Sequence, residues 1–316
     1  MLSASWYGPN DLRLEDKAIP KVVPGSVLVK VKSCAICGSD LRILGEGNSR
    51  ISPPHILGHE ISGEVVEVGK GVTNYTVGDR VATGADVPCG KCNHCLSGRP
   101  NCCDINYAIG YQFDGGYAEY ICLPENSVVA TIPAGMSYEE AAPISNGGIT
   151  ALRFLRIAKL QKKQKILIYG ASGSVGTFTT QLAKTMSAEI TGVCSTTNMA
   201  MVQSLGADQV IDYTQEDFTK TTEKYDVVFD AVGKASPSDC KSILKPGGVY
   251  LNVLRSSGGL KLKLEELQFL QNLMEKGQFT SVIDKRFTLD QIVEAHHYVD
   301  KGHKKGNVVI TVGSES

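Results

Sequence analysis

The sequence predicts an α/β protein in two parts. A β-rich domain spans residues 1–127 and is completed by residues 284–316; a doubly wound parallel-sheet domain spans residues 128–283. Three observations predict this. The first 127 residues are rich in Val, Gly and Pro, with strand-like runs such as SVLVKVKS and GEVVEVG cut by the turn signals VPGS, VGD and DGG. After residue 137 the pattern changes to strand and helix in alternation, from KILIYG through AEITGVC, DQVIDY, YDVVFDAVG and GGVYLNVL, which is how a parallel sheet covered on both faces reads. The chain then ends on a helix and a last strand in FTLDQIVEAHHYVDKGHKKGNVVITV.

Bulk properties exclude several function classes. With 316 residues, 42% hydrophobic and 21% charged, and a formal net charge of −1, the chain has no basic excess to attract nucleic acid or an anionic membrane surface. No run of 18 apolar residues is present, and MLSASWYGPNDLRLED turns polar too early for a signal peptide. The expected location is the cytoplasm, with no membrane or nucleic-acid partner. Of ten cysteines, five crowd into residues 89–103, and in a reducing compartment such a cluster reads first as metal binding.

The helical segment SYEEAAPISNGGITALRFLRIA opens on Ser137, with Glu140 three residues on as its reciprocal cap. The next strand, KILIYG, runs straight into a glycine turn and a helix. The loop Gly170, Ala171, Ser172, Gly173, Ser174, Val175 and Gly176 is the candidate dinucleotide cradle: its glycines let a pyrophosphate approach a helix N-terminus, where free N–H groups and the dipole favour anions. The second strand, EITGVC, ends in STTN, where a binder of NAD usually carries an acid for the ribose hydroxyls. Ser195, Thr196 and Thr197 are neutral donors compatible with a 2′-phosphate, although no Arg or Lys lies in residues 195–202. The expectation is NADP(H) in preference to NAD(H). Tyr213, ending DQVIDY, is a candidate for the adenosine end.

PCGKCNHCLSGRPNCC supplies Cys89, Cys92 and Cys95 at steps of three, and a fourth thiol at Cys102 or Cys103 beyond a Gly-Pro turn. Four thiolates can enclose Zn²⁺ tetrahedrally and leave no open position, so this site is read as structural. Cys34, Cys122, Cys194 and Cys240 lie in apolar runs and read as buried small residues. His94 reads as an exposed loop residue, and His296, His297 and His303 as solvated or capping residues of a terminal helix. SCAICGSDLR adds Cys37, and ILGHEISG follows with His59; two soft ligands need further partners to make a metal centre.

Together these pieces resemble the medium-chain dehydrogenase/reductase superfamily from end to end. GHEISGEVVEVGKGV is similar to the zinc alcohol dehydrogenase signature, with Gly58, His59, Glu60, Gly63, Gly69 and Val72 at the family steps. The Cys89, Cys92, Cys95 lobe resembles that family's structural-zinc site, and its final step of eight selects Cys103. GASGSVG, LGADQVIDY and GHKKGNVVI look more like the quinone oxidoreductase branch. The resemblance implies a GroES-like catalytic domain interrupted by a Rossmann domain, with the active site in the cleft between them. It implies Cys37 and His59 as catalytic-zinc ligands and Asp40 as the carboxylate that holds the histidine. It implies Ser39 as the hydroxyl that passes a proton, and Glu60 as a carboxylate able to enter the zinc shell.

The family's third ligand comes from the segment before the Rossmann domain. Aligned through GGIT, its cysteine falls on Asn146 and its acid on Pro143, neither of them a good match for zinc beside thiolate and imidazole. Glu60 is therefore expected to complete the site. The relay histidine of some relatives falls on Arg42. Only RSSGGLKLK separates GVYLNV from the helix near Leu264, where the family spends a longer loop and a sixth strand that often builds a dimer, so homo-oligomerisation stays open. The expected function is a zinc-dependent, NADP(H)-preferring oxidoreductase interconverting small uncharged alcohols and aldehydes or ketones. The alternative is an NADPH-dependent quinone or enone reductase with a structural zinc alone, of the kind in which Asn146 is expected; a third reading is a zinc-stapled nucleotide-binding protein without turnover.

Overall fold

The computed structural model describes residues 1–97, 102–105, 107–127, 129–256 and 264–313. The strand Ser26–Ala35 is the axis of the β-rich domain. Eight of its ten residues are buried, and it pairs antiparallel with Glu60–Val68, Tyr120–Pro124 and Asn307–Thr311. In SVLVKVKSCA the two half-buried positions are Lys30 and Lys32, and the apolar residues between and around them are all buried. Its Val27, Val29 and Val31 join Trp6, Ile61, Val65, Leu123, Ile292 and Val308 in one core.

The return segment is a working part of this domain. Asn307–Thr311 fills the place beside Ser33–Ala35, and Ile283–Thr288 pairs parallel to it on the outer edge. The opposite edge extends beyond residue 127: Val129–Thr131 pairs antiparallel with Val81–Thr83. The helix Tyr138–Pro143 also packs on this sheet, with Ala142 against Ala35 and Val309, and with Ser62 Oγ donating to the Tyr138 carbonyl at 2.6 Å. The junction at 127/128 expected from composition therefore moves downstream, because the chain adds one more edge strand and a covering helix before leaving the sheet.

Five parallel strands form the second domain, in the order Gln209–Asp212, Glu189–Cys194, Lys165–Tyr169, Tyr225–Asp230, Leu244–Asn252. Alternate residues of KILIY face two different cores. Ile166 and Ile168 pack with Phe154, Phe178 and Phe229, whereas Leu167 packs with Val193, Val228 and Ile243. This explains the unbroken apolar run. Among the described residues the sheet has no sixth strand, and the chain passes from Asn252 to the helix Leu264–Glu275; most of RSSGGLKLK lies outside the described residues. No helix among them is long and apolar enough to cross a membrane.

Ser137 caps Tyr138–Pro143 as expected, accepting from Glu140 N at 3.2 Å while Glu140 Oε2 accepts from Ser137 N at 3.0 Å. The continuous helix expected from there is interrupted. A π-helical turn at Ile144–Gly148 separates it from the helix Ile149–Ile157. Pro143 contributes no amide donor at the interruption. Gly147 and Gly148 let Phe178 and Leu270 pack close, since a β-carbon on either would meet those side chains at 3.1 Å. The turn carries Asn146 at the junction of the two domains.

Candidate active site and metal centres

Cys37 precedes the helix Gly38–Glu46, and Asp40 in its first turn folds back to accept the Cys37 backbone N–H at 3.0 Å. Asp40 is 1% exposed. Its Oδ1 lies 3.2 Å from His59 Nδ1, and its Oδ2 also accepts from the buried Tyr117 hydroxyl at 3.2 Å. One carboxylate thus ties together a helix start, a strand-entry histidine and a loop tyrosine. Burial pushes the Asp40 pKa up, but the charge and hydrogen bond of His59 outweigh it and leave the carboxyl below its ordinary value.

On the other side of the imidazole, His59 Nε2 faces Ser39 Oγ at 3.4 Å, so Ser39 stands where the resemblance requires a hydroxyl. Cys37, His59 and Glu60 place ligand atoms within 4.8 Å of one another. Asn146, at the family's third-ligand position, touches all three: its Nδ2 is 3.5 Å from Cys37 Sγ, 3.3 Å from His59 Nε2 and 3.1 Å from Glu60 Oε1. Burial raises the Cys37 pKa, but His59 more than reverses this and brings the thiol down to about 7. His59 is opposed by burial and raised well above its ordinary value by Asp40 and Cys37. Glu60 is driven well up by burial and by the Cys37 thiolate. A half-buried thiol with a lowered pKa beside a buried carboxyl kept from ionising is what a donor set looks like before a cation arrives. The chemistry of the three donors, soft sulfur with imidazole and carboxylate, fits zinc.

The second cluster is made of sulfur alone. The Sγ atoms of Cys89, Cys92, Cys95 and Cys103 all lie within 4.8 Å of one another, with Cys92 to Cys95 at 3.5 Å and Cys89 to Cys95 at 4.0 Å. Backbone amides point at the sulfurs: Cys92 N donates to Cys89 Sγ at 3.3 Å and Cys89 N to Cys103 Sγ at 3.2 Å. Hydrogen bonds from the backbone lower Cys89 to about 6, whereas burial and the neighbouring sulfurs push Cys95 to about 12. Four such thiols cannot all ionise together without a cation, and four thiolates at this spacing fit Zn²⁺. The fourth thiol is the buried Cys103, while Cys102 is exposed; the intervening Gly-Pro turn, residues 98–101, lies outside the described residues. His94 sits on the short helix Asn93–Leu96, partly covered, with Nε2 3.6 Å from Asp104.

In the dinucleotide cradle, Gly170 has φ +82, and a β-carbon on Gly176 would lie 2.1 Å from the Gly170 carbonyl oxygen, so the turn closes only with glycine. Gly173 precedes the helix Ser174–Thr185, and Ala171 is fully buried. The return segment docks on this loop: Gly306 N donates to Ser172 O at 2.8 Å and Ser174 Oγ to Gly306 O at 3.0 Å. Ser195, Thr196 and Thr197 follow the neighbouring strand, with Ser195 Oγ and Thr197 Oγ1 3.3 Å apart. Tyr213 is 47% exposed at the end of the next strand.

Three residues at these sites escaped the sequence reading. Asp212, 7% exposed, accepts from the hydroxyls of Thr196 and Thr214, and those hydrogen bonds hold its pKa below the carboxylate norm. The acid sought at the end of the second strand arrives from the third. Lys304 donates to Ser174 Oγ and to the Gly306 carbonyl. Burial lowers its pKa, while the charges of Glu60 and Cys37 pull it up; the basic pair before the last glycine in GHKKGN was the available signal. His296, expected to be solvated, is 2% exposed with its ring edge-on to Tyr117 at 5.5 Å. Burial brings it down to about 4. His297 and His303 are exposed as expected.

The comparisons agree with this architecture. The alcohol dehydrogenase GroES-like domain matches residues 23–134 and the zinc-binding dehydrogenase domain residues 174–288. An NAD-dependent alcohol dehydrogenase of Sulfolobus acidocaldarius is 32% identical, covering 95% of this chain and 96% of that protein. An acryloyl-coenzyme A reductase of Metallosphaera sedula is 29% identical over 92% of this chain and 94% of its own length. The cobalt- and zinc-bound thermostable alcohol dehydrogenase of Pyrobaculum aerophilum superposes with a TM-score of 0.86 at 26% identity, covering 98% of this chain and 99% of that one. The chain belongs to the zinc-containing medium-chain dehydrogenase/reductase superfamily and is an oxidoreductase. The reading without turnover is set aside.

Proposed function

We propose that this oxidoreductase is zinc-dependent and interconverts small uncharged alcohols with aldehydes or ketones, using a nicotinamide dinucleotide. The observation that carries the reading is the convergence of Cys37, His59, Glu60 and Asn146 on one point in the cleft. A zinc ion held there supplies Lewis acidity toward a substrate oxygen. Asp40 fixes the imidazole so that Nε2 is directed at the cluster. Ser39 stands beside that nitrogen to pass the alcohol proton on to solvent, giving up its own hydroxyl proton as it takes the substrate's, or to return one in the reverse direction, while hydride passes between substrate carbon and nicotinamide C4. The four-cysteine lobe holds a second, structural zinc.

The hydroxyls of Ser195, Thr196 and Thr197 favour NADP(H), and the Asp212 carboxylate bonded to Thr196 opposes a 2′-phosphate. The proposed preference for NADP(H) is therefore small. The protein is expected in the cytoplasm, with no nucleic-acid or membrane partner.

A second reading, a reductase of quinones or enones with structural zinc alone, is favoured by the Asn146 amide nitrogen facing the three donors. Metal content of the purified protein, with reduction and oxidation assayed beside it, separates the two. Two zincs per chain, one removed by mild chelation together with activity, support the first. One tightly held zinc with undiminished reductase activity supports the second.

A further inference from the structure

The Asn146 amide nitrogen is 3.1, 3.3 and 3.5 Å from Glu60 Oε1, His59 Nε2 and Cys37 Sγ. Around a tetrahedral zinc with bonds of 2.0–2.3 Å, neighbouring ligand atoms stand roughly 3.3–3.8 Å apart. The amide atom therefore has the spacing of a fourth corner. An atom taking the metal's own position would lie more than 1 Å closer to each donor.

The amide nitrogen donates toward Glu60 Oε1 and Cys37 Sγ, the polarity that suits these acceptors when no cation lies between them. It carries two hydrogens and no lone pair for a metal, and it faces three heteroatoms. The amide oxygen carries two lone pairs and reaches the same corner by a half-turn about the last torsion of the side chain, a broad two-fold torsion.

We propose that Asn146 is the fourth protein ligand of the cleft metal, through its amide oxygen. The inference rests on the zinc reading above and departs from the expectation that Asn146 is a poor match for zinc and that Glu60 alone completes the site. Charge explains why an amide suits it. The Cys37 thiolate and Glu60 carboxylate already balance a dication, and His59 coordinates as a neutral ring. A cysteine or acid at residue 146 would add a net negative charge and weaken the metal's pull on a substrate oxygen. A neutral amide closes the shell and binds weakly enough for a substrate oxygen to replace it. Asn146 also lies on the π-helical turn Ile144–Gly148, a backbone form that recurs at functional sites, and both domains reach the metal through it.

The test is zinc affinity of the full-length protein, measured by competition with a chromophoric chelator in wild type, Asn146→Ala and Asn146→Asp. The four-cysteine zinc serves as an internal check that each variant is folded. Asn146→Ala is expected to weaken the cleft zinc by roughly tenfold or more, and Asn146→Asp to tighten it by a similar factor, with the other zinc unchanged. Two zincs in wild type and an unaltered cleft affinity in Asn146→Ala would overturn the inference and leave the zinc reading standing. A folded wild type that takes up one zinc at saturating metal would overturn both. Should Asn146→Ala not fold, Asn146→Leu, which keeps the side-chain shape and removes the amide oxygen, decides in its place: weaker binding supports the assignment, and unchanged binding overturns it.

Discussion

Asp40 Oδ1 lies 3.2 Å from His59 Nδ1, with the two side chains 1% and 3% exposed. A carboxylate at that distance favours the proton on Nδ1 and leaves Nε2 toward Ser39 and Asn146, beside Cys37 and Glu60. Its own position is determined by the Cys37 amide and the Tyr117 hydroxyl, both on Oδ2. Asp40→Asn keeps the shape and removes the charge. We expect the cleft metal to bind about 10–100-fold more weakly, with a parallel loss of activity at limiting zinc and an unchanged four-cysteine zinc. Zinc titration of the variant measures this, and equal affinity in the two proteins would remove Asp40 from the site.

Lys304 puts an ammonium on Ser174, the first residue of the helix that follows the glycine turn. A helix N-terminus with an added cation is a place for pyrophosphate. Lys304→Met retains much of the apolar stem and removes the charge. The expected result is a rise of roughly tenfold or more in the cofactor KM, the size of one charge-assisted hydrogen bond, with a smaller change in kcat. Steady-state kinetics with NADH and NADPH reads it; an unchanged KM for both would place Lys304 in a structural role.

What the sequence made legible follows from range. The glycine turn, the capping box at Ser137 and Glu140 and the cysteine steps are local patterns, and each is where its spacing put it. Resemblance extended this to Cys37, Asp40 and His59, which are far apart in number yet tied to short motifs. The π-helical turn was not legible: Asn146, Gly147 and Gly148 are weak helix formers that warn of a break without giving its form, and Phe178 and Leu270, which pack against the two glycines, come from other elements. Asp212 and Lys304 were missed for a related reason: each acts on a neighbouring element, through Thr196 and Ser174, and no local pattern records that contact. His296 was misread because EAHHYVD shows a polar pair, whereas the helix Ile292–Asp300 turns one histidine toward Tyr117 and the other to solvent.

Asp212 sets the expected cofactor ratio. Its carboxylate is bonded to Thr196, within the row of hydroxyls that would meet a 2′-phosphate, and no basic residue lies in residues 195–202 to offset it. Removing that charge with Asp212→Asn is expected to raise the NADP(H) to NAD(H) ratio of kcat/KM by roughly tenfold. The comparison needs both cofactors measured at one ionic strength, since screening reduces the effect. A ratio that does not move would mean the phosphate lies elsewhere.

His296 gives the folded protein a defined acid sensitivity. Burial holds its pKa at about 4 against an ordinary 6.5; Asp40 and Asp300 pull it up, and His297 pushes it down. The unfolded chain therefore takes up a proton at this residue near pH 6.5, and the folded chain only near pH 4. The stabilisation is complete above the higher value and is lost as the pH falls toward the lower one. Over that interval it amounts to about 3 kcal/mol. Replacing His296 with Leu removes the titrating group and retains an apolar contact for Tyr117. Urea unfolding at pH 7 and pH 5 should show a smaller loss of stability for His296→Leu than for wild type. Equal losses in the two proteins would mean that His296 finds a proton partner in the folded state and that acid sensitivity originates elsewhere.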